Sequence, residues 1–324
     1  MRQWLLRIAP VLHLTRVTTA FAVVGNIWFV ILWTDANPPY EKAADDPKFP
    51  LWVMLAGGAV VGVCLYSFAA ALNDTLDIRR DRVLHPLRPL ASGRLNIDAA
   101  VGLVVISLLG AILGATAIGT SAVLMTLLTA GACLFYHGMA KFFPAVGLVA
   151  LSLIYGAHML IGNVELVFVW PVWLVMTHAM LVGATTHRLE ERRPALSTAS
   201  VVSATLGWTF WSGVLLYAGA RQGRGVWPDF VSPWAAVGPA LLAAAFVLVA
   251  RRKASRALSP RQAADKITRY GALWLTLYGV AWLVGVGKWG SAAALGGLAA
   301  AGFLGMTVLR EAYAMLEHPL AYRR

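Results

Sequence analysis

Apolar residues run through this sequence in long blocks, not in the short alternations that mark half-buried strands. Ten blocks approach the roughly 20 apolar residues that a membrane-crossing helix needs. They cover 17–33, 51–72, 98–117, 120–138, 143–161, 166–186, 200–219, 232–250, 271–287 and 289–309. The polar stretches between them are too short to house a soluble domain. The pattern predicts an all-α protein, a polytopic transmembrane helical bundle of nine or ten spans, built as one domain over residues 1–324.

The polar segments are unequal. Residues 35–50 are acidic and Pro-rich, 73–97 and 187–199 are larger and mixed in charge, and 251–269 is basic, with Ser259-Pro260 starting a short helix. Residues 1–14 pair positive charge with apolar residues and read as an interfacial amphipathic helix, not a cleaved signal. Charged residues make up 13% of the 324, against about 25% in a soluble domain, which argues against a soluble enzyme, a disordered chain or a coiled coil. The net charge of +12 has a topological reading. With the N-terminus cytoplasmic and ten alternating spans, all but five of the 27 Lys and Arg residues fall on the cytoplasmic side. The exceptions are Lys42, Lys48, Arg221, Arg224 and Lys288. That is the positive-inside distribution of an integral protein of the cell membrane, in contact with membrane lipids of anionic head group and not with nucleic acid. Cys64 and Cys133 both lie within apolar blocks and imply neither a disulfide nor a metal site.

Acidic residues at membrane depth are expensive and mark function. The first acidic segment reads Asn73-Asp74-Thr75-Leu76-Asp77-Ile78-Arg79-Arg80-Asp81. At about 100° per helical residue, Asn73, Asp74, Asp77 and Asp81 share an arc of roughly 100°. Three carboxylates so placed repel one another unless a cation lies between them. Magnesium suits the position because it takes carboxylate and phosphate oxygens together. Nearby arginines, Arg79, Arg80, Arg82, Arg88 and Arg94, could hold a diphosphate. The plainer alternative is a solvated helix end with Asp–Arg pairs. The second segment, His187-Arg188-Leu189-Glu190-Glu191-Arg192-Arg193-Pro194, places His187, Glu190 and Glu191 on one face, either to complete a metal cage or to end a helix. A di-iron or multi-histidine site is set aside, because the seven histidines are scattered.

The first segment continues into Arg88-Pro89-Leu90-Ala91-Ser92-Gly93-Arg94-Leu95. Together, N-D-x-x-D-x-x-x-D and R-P-L-x-S-G-R-L resemble the first signature of the UbiA-type intramembrane prenyltransferases. The spacing is most similar to the branch that includes chlorophyll synthase and the archaeal geranylgeranylglyceryl phosphate geranylgeranyltransferase. Tyr136 and Lys141 resemble the family's Tyr-x-x-x-x-Lys, in which the lysine helps bind diphosphate, and the region of Arg16 resembles the entry to its first span.

The resemblance implies a helical bundle around a central lipophilic cavity, capped by a polar cytoplasmic end. It implies magnesium-dependent ionisation of a prenyl diphosphate and capture of the allylic cation by an aromatic or lipid-like acceptor. On this reading Asp74, Asp77 and Asp81 are catalytic magnesium ligands, faced by Glu190 and Glu191. Asn73, Arg82, Arg88, Lys141 and Arg188 contact the diphosphate or the loops that cover it. Tyr66, Tyr155, Trp173 and Tyr278 could shield a carbocation, although packing is the ordinary role of such residues, and His158 and His178 read as hydrogen-bonded bundle residues. The family's second motif, D-x-x-D-x-x-x-D, is not kept. With Glu190 in the middle the flanks are His187 and Pro194; with Glu191 they are Arg188 and Ala195. That departure leaves two rival readings, a terpene cyclase on the same fold and a non-catalytic protein that binds an isoprenoid lipid.

Overall fold

A computed structural model describes residue 14 and residues 20–45, 49–223 and 225–317. Each of the ten apolar blocks forms a helix. In chain order, with the short polar α3 as an eleventh helix, they are α1 (Phe21–Ala36), α2 (Leu51–Leu76), α3 (Ile78–Leu84), α4 (Ile97–Thr116) and α5 (Thr120–Gly138). After a 3₁₀ turn at Ala140–Phe142 come α6 (Pro144–Leu160), α7 (Trp170–Leu189), α8 (Thr198–Gly223), α9 (Val237–Ser255), α10 (Pro260–Gly285) and α11 (Trp289–Glu317). No strand occurs among the described residues. The expected interfacial helix, apart from Leu14, and Arg16 lie outside the described residues.

Five helical segments are long and apolar enough to cross a membrane: α2, α4, α8, Thr120–Phe142 and Pro233–Ser255. Three shorter apolar helices, α1, α6 and Trp289–Gly305, lie among them. The chain is an integral membrane protein, consistent with the apolar side chains that α4, α5 and α8 leave exposed, such as Leu109, Leu113, Leu128 and Leu206. One expected element is different. The helix begun at Ser259-Pro260 is not separate but continues as α10 through Gly285. Its start is fixed by the Ser259 hydroxyl, which accepts from the Gln262 amide at 3.2 Å. Between there and the apolar block no proline interrupts the backbone ladder.

Small residues set the spacing of the bundle, as expected where lipid supplies no hydrophobic drive between helices. A side chain at Gly57 would meet the Gly114 carbonyl, and one at Gly114 would meet Gly57, so α2 and α4 touch backbone to backbone. Helix α1 is buried along most of its length and forms a central post. Gly62 of α2 packs on Val24, Thr276 of α10 fills the space beside Gly25, and Gly162, just beyond α6, packs on Val30.

The end of the bundle that holds the α1–α2 loop is closed by polar ties. Glu41 is buried and accepts from the Trp33 indole at 2.9 Å, the Val167 amide at 2.7 Å and the Phe168 amide at 2.9 Å. Asn163 donates to Thr34 and to the Lys42 carbonyl, and Asp45 accepts from the amide and hydroxyl of Ser121 at the start of α5. Lys288 donates to the Ala36 carbonyl at the end of α1. These bonds fix the loops at this end of the bundle.

Candidate active site

At the opposite end, α2 stops just past its last apolar turn. Asp77 leaves helical geometry (φ −89°, ψ 4°) and links α2 to α3. The aspartate motif therefore straddles a helix break and not the single continuous helix that its spacing predicts. Backbone bonds from Asp77 to Asn73 at 2.9 Å and from Asp81 to Asp77 at 2.8 Å carry the i, i+4 spacing through the break. Asp74 and Asp81 are buried, at 3% and 4% exposure. They sit at the negative end of the α2 dipole, so burial and dipole both raise the need for positive charge.

Two segments supply it, one adjacent in the chain and one distant. Arg88 places one guanidinium nitrogen 2.7 Å from Asp81 and 3.4 Å from Asp74, bridging the two carboxylates. The turn that presents it is tightly built. The Ser92 amide bonds back to the Arg88 carbonyl, the Leu95 amide bonds to the Pro89 carbonyl, and Gly93 takes φ 74°, which glycine adopts without strain. Leu90 is the turn's anchor, buried against Leu14, Ala71 and Ala100 one turn below Asp74. Arg94 reaches across the loop to Ser92 and the Leu87 carbonyl, so its role is to brace the turn. Lys141, in the 3₁₀ turn after α5, donates to Asp77 at 2.7 Å and to the Asn73 side-chain carbonyl at 3.1 Å. The Asn73 amide in turn donates to Asp74 at 3.2 Å. Six residues, Asn73, Asp74, Asp77, Asp81, Arg88 and Lys141, thus form one connected network.

The other expected residues are placed differently. Arg82 and Arg188 are exposed, and among the described residues the cations paired with the aspartates are Arg88 and Lys141. Glu190 pairs with Arg192 at 2.6 Å, and Glu191 is exposed with φ 50°. His187 is bonded to the Pro194 carbonyl at 2.9 Å, which closes the 187–194 turn. Below the network, Tyr66, Tyr136 and Tyr155 are half-buried on α2, α5 and α6, and α5 packs against both of the other helices. Tyr278 is tied to His178, which also meets the Gly271 carbonyl, and Trp173 is tied to Ser212. Those ties make Tyr278, Trp173 and His178 bundle residues. His158 departs from its expectation, since both ring nitrogens are buried with no hydrogen-bond partner among the described residues. The motif includes Leu90 without giving it a role, which becomes visible only once the turn is seen to rest on it.

Among the described residues no group of three His, Cys, Asp or Glu side chains is gathered as a ready-made metal cage. The expected cage of Asp74, Asp77, Asp81, Glu190 and Glu191 is therefore not assembled. The physical reason is that Arg88 and Lys141 already neutralise the aspartates, and Arg192 occupies Glu190. The aspartates still fit magnesium, which asks for only one or two carboxylates when phosphate oxygens fill the other positions. Asp74 and Asp81, drawn to one shared cation, already form such a pair.

The UbiA prenyltransferase family matches residues 42–192, a stretch that contains every residue of this network. Among solved structures, one described as digeranylgeranylglyceryl phosphate synthase in membranes is 16% identical, covers 87% of this chain and 99% of its own, and superposes with a TM-score of 0.52. A UbiA homolog from Archaeoglobus fulgidus bound to GPP and Mg2+ is 14% identical over 92% of this chain and 99% of its own, with a TM-score of 0.45. The first likeness establishes a shared fold. No curated protein sequence matches the chain.

Proposed function

We propose that this chain, a member of the UbiA prenyltransferase family over residues 42–192, transfers a prenyl group from a prenyl diphosphate to a lipophilic acceptor within the membrane. The observation that carries the reading is the pairing of three aspartates with Arg88 and Lys141 at one end of an apolar bundle. Such a site is built to exchange cations with an anionic ligand. The allylic carbon–oxygen bond breaks with its electron pair going to the diphosphate. The carbocation then bonds to the acceptor's nucleophilic carbon or oxygen, and the acceptor gives up a proton. Magnesium, held by Asp74, Asp77 and Asp81, would supply charge at the leaving diphosphate. Arg88 and Lys141 are mounted on separate segments and can turn from carboxylate to phosphate oxygens as the substrate enters. Asn73 orients Lys141 through its side-chain carbonyl. The tyrosines below keep water from the cation and present aromatic faces to it.

The same reading sets the topology. Arg79, Arg80, Arg88, Arg94, Lys141 and Arg192 share the aspartate end, and Lys42 and Lys288 lie at the other. We take the aspartate end as cytoplasmic, with ten spans, the N-terminus cytoplasmic and residues 1–324 as one domain. The test is to incubate purified protein with geranylgeranyl diphosphate and magnesium, with and without a membrane lipid extract as acceptor source. Release of diphosphate that requires the extract, together with a prenylated lipid, is the expected result. A hydrocarbon or terpene alcohol without extract would establish a cyclase instead. No release under either condition would establish a binding protein.

A further inference from the structure

The segment between α2 and the Arg88 turn has an outer face that the aspartate network does not use. Asp81 is the one buried residue of α3, and its carboxylate meets Arg88. Around the rest of the helix Arg79, Arg80, Arg82, Val83 and Leu84 are exposed. Three apolar side chains stand among these charges: Val83 is 79% exposed, Leu84 53% and, in the loop that follows, Leu87 82%. Leu84, His85, Pro86 and Leu87 line a cleft of about 320 Å³ together with Arg88. Every Asp, Glu, Lys or Arg side chain exposed between residues 78 and 97 is an arginine.

We infer that α3 and the loop to Leu87 dock on acidic phospholipids of the adjoining leaflet, with the arginines on head-group phosphates and Val83, Leu84 and Leu87 in the apolar layer beneath. Depth supports this. Helix α2 has 26 residues, about 39 Å at 1.5 Å per residue, against a hydrocarbon core of about 30 Å. Its ends therefore stand in the head-group layers, and α3 starts two residues after Leu76. The mixture of guanidinium and apolar side chains suits that layer, where arginine keeps its charge on phosphate and its stem among apolar groups. Other covers fit less well. The second polar segment, 187–199, is itself basic, with Arg188, Arg192 and Arg193 against Glu190 and Glu191. A second copy meeting this face symmetrically would set arginine against arginine. Acidic head groups alone bring the complementary charge. Docking also reaches the aspartate network, because Arg88 lines the cleft and lies 2.7 Å from Asp81 of α3. A lipid that steadies α3 steadies the guanidinium that bridges Asp74 and Asp81. The inference stands independently of the prenyl diphosphate reading.

The test uses the full chain in nanodiscs of phosphatidylcholine alone or mixed with phosphatidylglycerol. With Cys64→Ala and Cys133→Ala as background, a nitroxide is attached through Val83→Cys or Leu87→Cys. Collisions with oxygen, which partitions into the bilayer, and with a water-soluble nickel chelate then report its depth. In the mixed discs both labels should favour oxygen, and in phosphatidylcholine alone that preference should shrink. A label that favours the chelate in mixed discs overturns the inference. So does an equal preference in both discs, or a label shielded from both reagents, which would mean a protein cover. In detergent, titration with phosphatidylglycerol followed by native mass spectrometry should show bound lipid. Arg79→Gln/Arg80→Gln/Arg82→Gln should weaken that binding by about tenfold or more, since each arginine near an anionic surface is worth roughly fivefold. Unchanged affinity overturns the inference, and displacement of the lipid by inorganic phosphate does so too, by making the arginines a site for free ions. All three arginines are exposed, so the fold should hold, and the nitroxide measurement leaves them in place.

Discussion

Buried carboxylates occur at both ends of this bundle, and their partners differ in kind. At one end Glu41 is held by an indole N–H and two backbone amides, all fixed in place by helices and turns. At the other, Asp74, Asp77 and Asp81 are held by the long side chains of Arg88 and Lys141. Fixed dipoles satisfy a carboxylate permanently and make it a structural fastener. Flexible cations satisfy it until a better anion arrives. The comparison teaches that burial alone does not define a carboxylate's setting; the kind of partner it meets does.

That contrast can be broken at several points. The largest effect should come from Asp74→Ala or Asp77→Ala, each of which should abolish measurable turnover, on the order of 10³-fold or more, because charge at the leaving group loses its support. Diphosphate release would measure it, and both variants should still elute as folded protein in detergent. Unaltered turnover in both would falsify the site. Lys141→Ala should raise the KM for prenyl diphosphate by about tenfold or more, since the ammonium both grips phosphate and orients Asn73.

Glu41→Ala should do the reverse, leaving the turnover of folded molecules intact. It strips partners from one indole and two backbone donors, at about 1–3 kcal/mol per buried group, so thermal unfolding in detergent should shift down clearly. Turnover lost in proportion to that of Asp74→Ala would erase the distinction between the two ends.

Glu41 also predicts a pH dependence. Burial raises its pKa above the usual 4.5, outweighing the three donors that lower it. The folded state therefore holds this proton more tightly than the unfolded state. Its contribution to stability is full below pH 4.5 and is lost as pH rises through the folded pKa. The melting temperature of the wild type relative to Glu41→Gln, which carries no titrating group there, should fall across that window. A flat difference would show that the three donors cancel the burial. The smallest effect should be that of Asp45→Ala, about 1 kcal/mol, through loss of the cap on Ser121 at the start of α5.

The apolar blocks announce the ten long helices because a backbone in lipid must satisfy its own hydrogen bonds, and helices do so residue by residue. The aspartate motif and the turn from Arg88 to Leu95 are also legible, because their spacing is local and the residue types carry the chemistry. The break at Asp77 is less visible, since Leu76, Asp77 and Ile78 contain neither glycine nor proline. Glu41 gives no signal at all: it is one acid in a polar loop, and its donors at Val167 and Phe168 lie 126 and 127 residues away.

The chain's own order of residues determined its solvent, its helices and the spacing of the acids in its aspartate motif. Only the tertiary structure decided which cation meets which acid. Lys141 reaches Asp77 across 64 residues of chain. Helix formation is a matter of neighbours a few residues apart, whereas charge pairing depends on how distant helices pack. A sequence read along its length reports the first directly and the second hardly at all.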